Sequence, residues 1–189
     1  FSKNKLKEAL KDINKAIKIN SKQMGIYADR GIILYLLENY KKELNNFNKE
    51  IELNKDRDLI KGNKFIIAAL NNSYFYKGHI KYIECNYESA IKDLNKAIKL
   101  VPDNISAYEY LGKSKYELNK FEEAIIDLTK VIELDPDNGL ALYNRGLLQG
   151  NCQNHKEAIK DLNKAIKLDN KDTASYYLRG LSNYFYEKY

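Results

Sequence analysis

Cysteine and proline are nearly absent from the 189-residue chain, which has two of each. Two cysteines cannot staple a chain of this length, so nothing points to an oxidising compartment, and the cytoplasm stays the default location. With only 9 glycines beside the two prolines, collagen-like and linker-like readings are excluded and long helices are favoured. No apolar run reaches the ~18 residues of a membrane span, so no membrane segment is expected in this chain. There is no initiator Met and no targeting pattern, and the chain reads as a fragment of a longer one. With 44% hydrophobic and 31% charged residues it is too apolar to be disordered. The net charge of +6 keeps nucleic acid in view until the charges are placed.

What the chain does contain is repetition. Residues 90–100 and 158–168 are the same eleven letters, AIKDLNKAIKL, with AIIDLTKVIEL at 124–134 between them. ALKDINKAIKI at 9–19 and ELNNFNKEIEL at 43–53 complete the series. The starts at 9, 43, 90, 124 and 158 keep a period of 34, broken once by 13 extra residues. Each period holds two helical patterns. In one of them Ala90, Ile91, Leu94, Ala97 and Ile98 form an apolar stripe opposite Lys92, Lys96 and Lys99. Pro102-Asp103-Asn104 and Pro136-Asp137-Asn138 punctuate the joints.

Here the chain resembles the tetratricopeptide repeat family, whose 34-residue unit has an aromatic at position 4, Gly at 8 and Ala at 20 and 27. Position 4 is Tyr27, Tyr74, Tyr108, Leu142 and Tyr176, and position 8 is Gly31, Gly78, Gly112, Gly146 and Gly180. The resemblance implies an all-α, right-handed superhelical solenoid of antiparallel helix pairs. It divides the chain into a half repeat (1–23), a repeat (24–57), an insertion extending the next helix (58–70), repeats 71–104, 105–138 and 139–172, and a half repeat (173–189). The repeat at 24–57 is degenerate, with Glu43 and Glu50 at the two small-residue positions, and is expected to pack most loosely. A helical glycine costs about 1 kcal/mol against alanine, so five at one phase imply close helix approach. Each pair exposes an apolar flank and needs a neighbour to stack on, which leaves end-to-end self-association open to the chain.

In the family the first helices line a concave surface. Carried onto this sequence, the groove comprises Tyr35, Phe75, His79, Tyr82, Lys113, Tyr116, Tyr143, Asn144 and Tyr177. Of the 16 tyrosines, only Tyr40, Tyr87 and Tyr189 fall outside first helices, so the groove should be aromatic and fit a peptide or helix of a protein partner. The family's clamp for a C-terminal carboxylate is matched only at Asn144. The lysines repeat on the outer face of the second helices, while the groove carries Asp29, Glu109 and Glu117 against Lys113. Nucleic acid is therefore disfavoured, despite the net charge. Arg30, Arg145 and Arg179 each follow by 18 residues an aspartate of the preceding repeat, Asp12, Asp127 and Asp161. Ion pairs between repeats are expected there, with Arg145 to Asp161 inside one repeat as the rival.

His79, His155, Cys85 and Cys152 do not cluster in sequence, and no CxxC, HExxH or phosphate-loop pattern occurs. The expectation is a protein-interaction scaffold, not an enzyme, with no cofactor and no metal. Two alternatives are a recruiting region of a larger enzyme or of a secretion or assembly machine, and an RNA-binding helical repeat.

Overall fold

The computed structural model describes residues 2–38, 40–54 and 62–187, and of residues 40–42 the backbone only. These residues form ten helices: α1 (Lys3–Ile19), α2 (Ile26–Leu36), α3 (Tyr40–Leu53), α4 (Lys64–Ile83), α5 (Tyr87–Leu100), α6 (Ile105–Glu117), α7 (Phe121–Leu134), α8 (Gly139–Asn151), α9 (His155–Leu168) and α10 (Thr173–Tyr186). No strand occurs among the described residues. The helices sort into two compact units, 1–104 with α1 to α5 and 105–189 with α6 to α10. Within each, sequential helices pack as pairs, α2 on α3, α4 on α5, α6 on α7 and α8 on α9.

The helix ends follow local rules. Ser2, Asn63, Asn86, Asn138 and Asp172 accept backbone N–H groups at the starts of α1, α4, α5, α8 and α10. Four first helices end on a left-handed residue at one phase of the repeat: Glu38, Cys85, Asn119 and Gln153, with φ of 61°, 58°, 58° and 62°. After Cys85, Asn119 and Gln153 the next N–H reaches back to satisfy an otherwise unpaired carbonyl, from Asn86 to Lys81 at 2.8 Å, from Lys120 to Lys115 at 2.9 Å and from Asn154 to Gln149 at 2.8 Å.

The apolar stripe of each second helix is the core. Ala90, Leu94 and Ala97 are fully buried in the first unit. In the second, Ala124, Leu128, Val131, Ala141 and Leu148 form one cluster joining two repeats. The repeat glycines meet this stripe to different degrees. A Cβ would lie 2.5 Å from the Phe47 ring at Gly31, and 2.7 Å and 2.8 Å from the Cγ of Leu94 and Leu162 at Gly78 and Gly146. At Gly112 the nearest atom would be 3.4 Å away, and at Gly180 nothing lies within 4 Å.

Among the described residues of 24–57 the packing at Glu43, Phe47 and Glu50 is close, which differs from the expectation of a loose repeat. Glu43, Phe47 and Glu50 are 0%, 0% and 1% exposed. Phe47 fills the room over Gly31, and Glu50 bends to the start of α2. Its carboxylate accepts N–H groups from Gly25 (3.1 Å), Tyr27 (3.2 Å) and Ala28 (3.3 Å), and also the amide of Asn54 (2.8 Å). Gly25, the residue preceding α2, has no side chain to cap it. The glutamate therefore does the work of a cap from the partner helix.

The expected ion pairs between repeats are also corrected. Arg145 binds Asp161 within its own repeat, Nε to Oδ2 and Nη2 to Oδ1, both at 2.7 Å. Asp127 is taken by Lys115 at 2.7 Å, and Asp93 by Lys81 at 2.6 Å. In α5, α7 and α9 the aspartate thus pairs with a cation of its own first helix: Asp93 with Lys81 and, at 4.0 Å, Lys77, Asp127 with Lys115, and Asp161 with Arg145. The contact to the preceding repeat uses a neutral oxygen instead. Nη1 donates from Arg30 to Asn14 (3.1 Å), from Arg145 to Thr129 (3.0 Å) and from Arg179 to Asn163 (2.7 Å).

Of the insertion, residues 58–61 lie outside the described residues, and residues 64–70 form the first two turns of α4. Ile66, Ala69 and Leu70 of those turns are buried, while Phe65 is 81% exposed.

Candidate functional site

In the first unit the geometry gathers rings from two successive first helices. The hydroxyl of Tyr35 on α2 lies 2.8 Å from Nδ1 of His79 on α4, a hydrogen bond whose donor depends on the imidazole tautomer. Phe75, one turn earlier on α4, stacks on His79 with centroids 6.1 Å apart. Tyr76 sits at the centre of the group, 4.9 Å from Tyr35, 5.1 Å from Phe75 and 5.7 Å from Phe47, to which it lies nearly parallel. Burial pushes the Tyr76 phenol above its ordinary range, so it stays protonated and keeps its O–H as a donor. Tyr35, Phe75, Tyr76 and His79 are all half-buried.

Tyr76, the neighbour of Phe75 in the chain, is not among the residues that the sequence pattern alone assigns to the groove. Tyr82 belongs to a separate contact, with its ring 5.8 Å from Tyr87 in the same helix pair.

In the second unit the candidates are dispersed. Lys113 places its ammonium 4.7 Å from the Tyr110 ring centre, and Tyr116 packs 5.8 Å from Phe121. Tyr143 and Asn144 are half-buried, and Tyr143 borders a cleft with Leu140, Leu168 and Asp172. Tyr177 is 67% exposed. No hydrogen bond or ring contact among the described residues joins Lys113, Tyr116, Tyr143, Asn144 and Tyr177 to one another.

The remaining reactive side chains are scattered. Cys85 is exposed, and Sγ of Cys152 lies 3.8 Å from a Glu122 carboxylate oxygen, where burial first and that carboxylate second push its thiol up. His155 stacks on Phe185 at 5.5 Å. Among the described residues no three His, Cys, Asp or Glu side chains are placed to hold a metal ion, and no helix is long and apolar enough to cross a membrane.

A family model described as TPR repeat matches residues 78–118 and 112–151, and one described as tetratricopeptide repeat matches residues 139–172. Together they cover residues 78–172, half of the chain. No curated protein sequence matches it. Among solved structures, a crystal structure of MamA is similar with a TM-score of 0.74 at 19% identity, over 89% of this chain and 91% of that one. The first TPR of Spaghetti (RPAP3) bound to HSP90 peptide SRMEEVD gives 0.58 at 20% identity, over 60% of this chain and 90% of that one. YrrB, described as a TPR protein with an unusual peptide-binding site, gives 0.57 at 18% identity, over 89% and 97%. At these identities the likeness is one of fold.

Proposed function

Because the chain belongs to the tetratricopeptide repeat family, we propose that it is a protein-interaction scaffold that seats a peptide or helical segment of a protein partner against the aromatic first helices. The observation that carries this is the group Tyr35, Phe75, Tyr76 and His79, contributed by α2 and α4. Rings fixed by one another lose little freedom on binding, offer large apolar faces and keep polar tips for hydrogen bonds. Two proteins of the same fold are described with peptides or a peptide-binding site, which favours the same class of ligand here. In the second unit Lys113, Tyr116, Tyr143, Asn144 and Tyr177 are proposed as separate contacts of that unit.

The test is capture of cellular proteins by the chain and by a Phe75→Ala, Tyr143→Ala double variant. The expected result is weaker capture by the variant with helicity nearly unchanged. Equal capture, or a large fall in melting temperature that marks the rings as core, would overturn the reading.

A further inference from the structure

Arg30 and Arg145 hold the same place in their repeats but meet different partners. Arg145 is chelated by the carboxylate of Asp161. Sixteen residues after Arg30 the sequence has Asn46 instead. Arg30 Nε donates to Oδ1 of Asn46 at 2.6 Å and Nη1 to Oδ1 of Asn14 at 3.1 Å, while the Tyr27 ring covers it at 5.2 Å. All three partners are neutral. Among the described residues Arg30 forms no ion pair, and its Nη2, which in Arg145 holds the second carboxylate oxygen, makes no hydrogen bond.

This guanidinium lines an open cleft of about 550 Å³ between α1, α2 and α3. No acidic residue lines the cleft among those described, and Lys49 adds a second cation. The partner of Lys49, Glu52 at 3.3 Å, is solvent-exposed, and such a pair is too weak to withhold the ammonium from a ligand. Because Asn14 accepts from Arg30 through its oxygen, its amide N–H₂ is left to donate, and Asn45 brings another amide to the lining. Leu10 and Leu34 supply apolar wall.

We propose that this cleft is an anion site that receives the side-chain carboxylate of an acidic polypeptide segment. The chemistry is given by the chain itself, since Asp161 shows which group completes this guanidinium in a sister repeat. A guanidinium fork matches a carboxylate with two parallel hydrogen bonds. The cleft exceeds what a lone carboxylate would fill, which leaves room for the segment that carries it. The site lies beside second helices α1 and α3 and does not depend on the aromatic group of α2 and α4.

The test is an NMR titration of the isotope-labelled 189-residue chain with an N-acetylated Ala-Asp-Ala amide, its Ala-Asn-Ala counterpart, and inorganic phosphate. The Asp peptide is expected to shift the Arg30 Nε–Hε signal and the side-chain amides of Asn14 and Asn45, with the Asn peptide at least about tenfold weaker, the worth of one charge-assisted pair of bonds. Arg30→Gln should remove the response. Asn46→Asp should remove it while preserving the fold, because it supplies internally the carboxylate the cleft lacks. An unchanged response in Asn46→Asp, equal binding of the Asn peptide, or no response in the parent chain would overturn the proposal. Phosphate binding without a response to the Asp peptide would overturn the carboxylate assignment.

Discussion

Arg145 and Asp161 face each other across one helix pair and share two hydrogen bonds of 2.7 Å, and Nη1 of the same guanidinium reaches Thr129 in the preceding repeat at 3.0 Å. The arginine thus has an ionic partner inside its repeat and a neutral one across the joint. Removing either member leaves a buried or half-buried charge unanswered, so Arg145→Ala and Asp161→Ala should each cost about 2–4 kcal/mol. A double-mutant cycle on this pair should show coupling of about 1–3 kcal/mol, and the cycle on Arg145 and Asp127 almost none. Denaturant unfolding of the parent, the three single variants and the two double variants measures both.

The five repeat glycines are equivalent in sequence and unequal in space. A methyl at Gly146 would meet Leu162 Cγ at 2.8 Å, whereas at Gly112 the nearest atom is 3.4 Å away and at Gly180 nothing intrudes. Gly146→Ala should therefore destabilise by about 1–3 kcal/mol through overpacking. At Gly112 the change should be nearly neutral, and at Gly180 it should stabilise α10 by up to about 1 kcal/mol from helix propensity alone. Thermal melts of the three variants should rank in that order, and equal effects at Gly146 and Gly180 would contradict the packing described.

How much of this was legible in the sequence follows from which quantities a repeat fixes. Phase is fixed: the 34-residue spacing placed Gly146 and Leu162 on facing stripes and put Tyr35 and His79 on first helices. Choice between two equivalent neighbours is not. The spacing alone allows Asp127 to meet Arg145 of the next repeat or a cation of its own, and only three-dimensional distance shows that Lys115 takes it. Substitutions against the pattern are the least legible. Glu43 and Glu50 read alike as misfits at small-residue positions, yet Glu50 finds three backbone N–H groups at the bare start of α2 and Glu43 finds none. The meeting of Tyr35 with Tyr76 spans the insertion, whose length masks their proximity in a linear reading.

Glu50 should be indispensable to α2 although it is not part of it. Glu50→Ala frees the N–H groups of Gly25, Tyr27 and Ala28 in a buried setting, a loss of about 1–3 kcal/mol. Glu50→Gln retains one acceptor oxygen and should recover part of that. Amide hydrogen exchange at Tyr27 and Ala28 should speed up in the order parent, Gln, Ala. Unchanged protection in the Ala variant would show that the cap contributes nothing.

Glu43 is the opposite case, a fully buried carboxyl without a hydrogen-bond partner among the described residues. Burial alone pushes it from an ordinary 4.5 up to about 7. In the unfolded chain it titrates near the ordinary value, so below that pH it is protonated in both states and the fold bears no penalty. As pH rises the unfolded state loses the proton first, and the folded state is progressively disfavoured until its own carboxyl ionises near 7. The contribution of Glu43 to stability is thus full at acid pH, is lost between about 4.5 and 7, and stays lost above. Glu43→Gln, which cannot ionise, should flatten that slope and leave the first unit more stable than the parent at pH 8. Urea unfolding at pH 5 and pH 8, followed through amides of α2 and α3, separates the two chains. A parent unit as stable at pH 8 as at pH 5 would mean that the carboxyl is reached by water or by a cation.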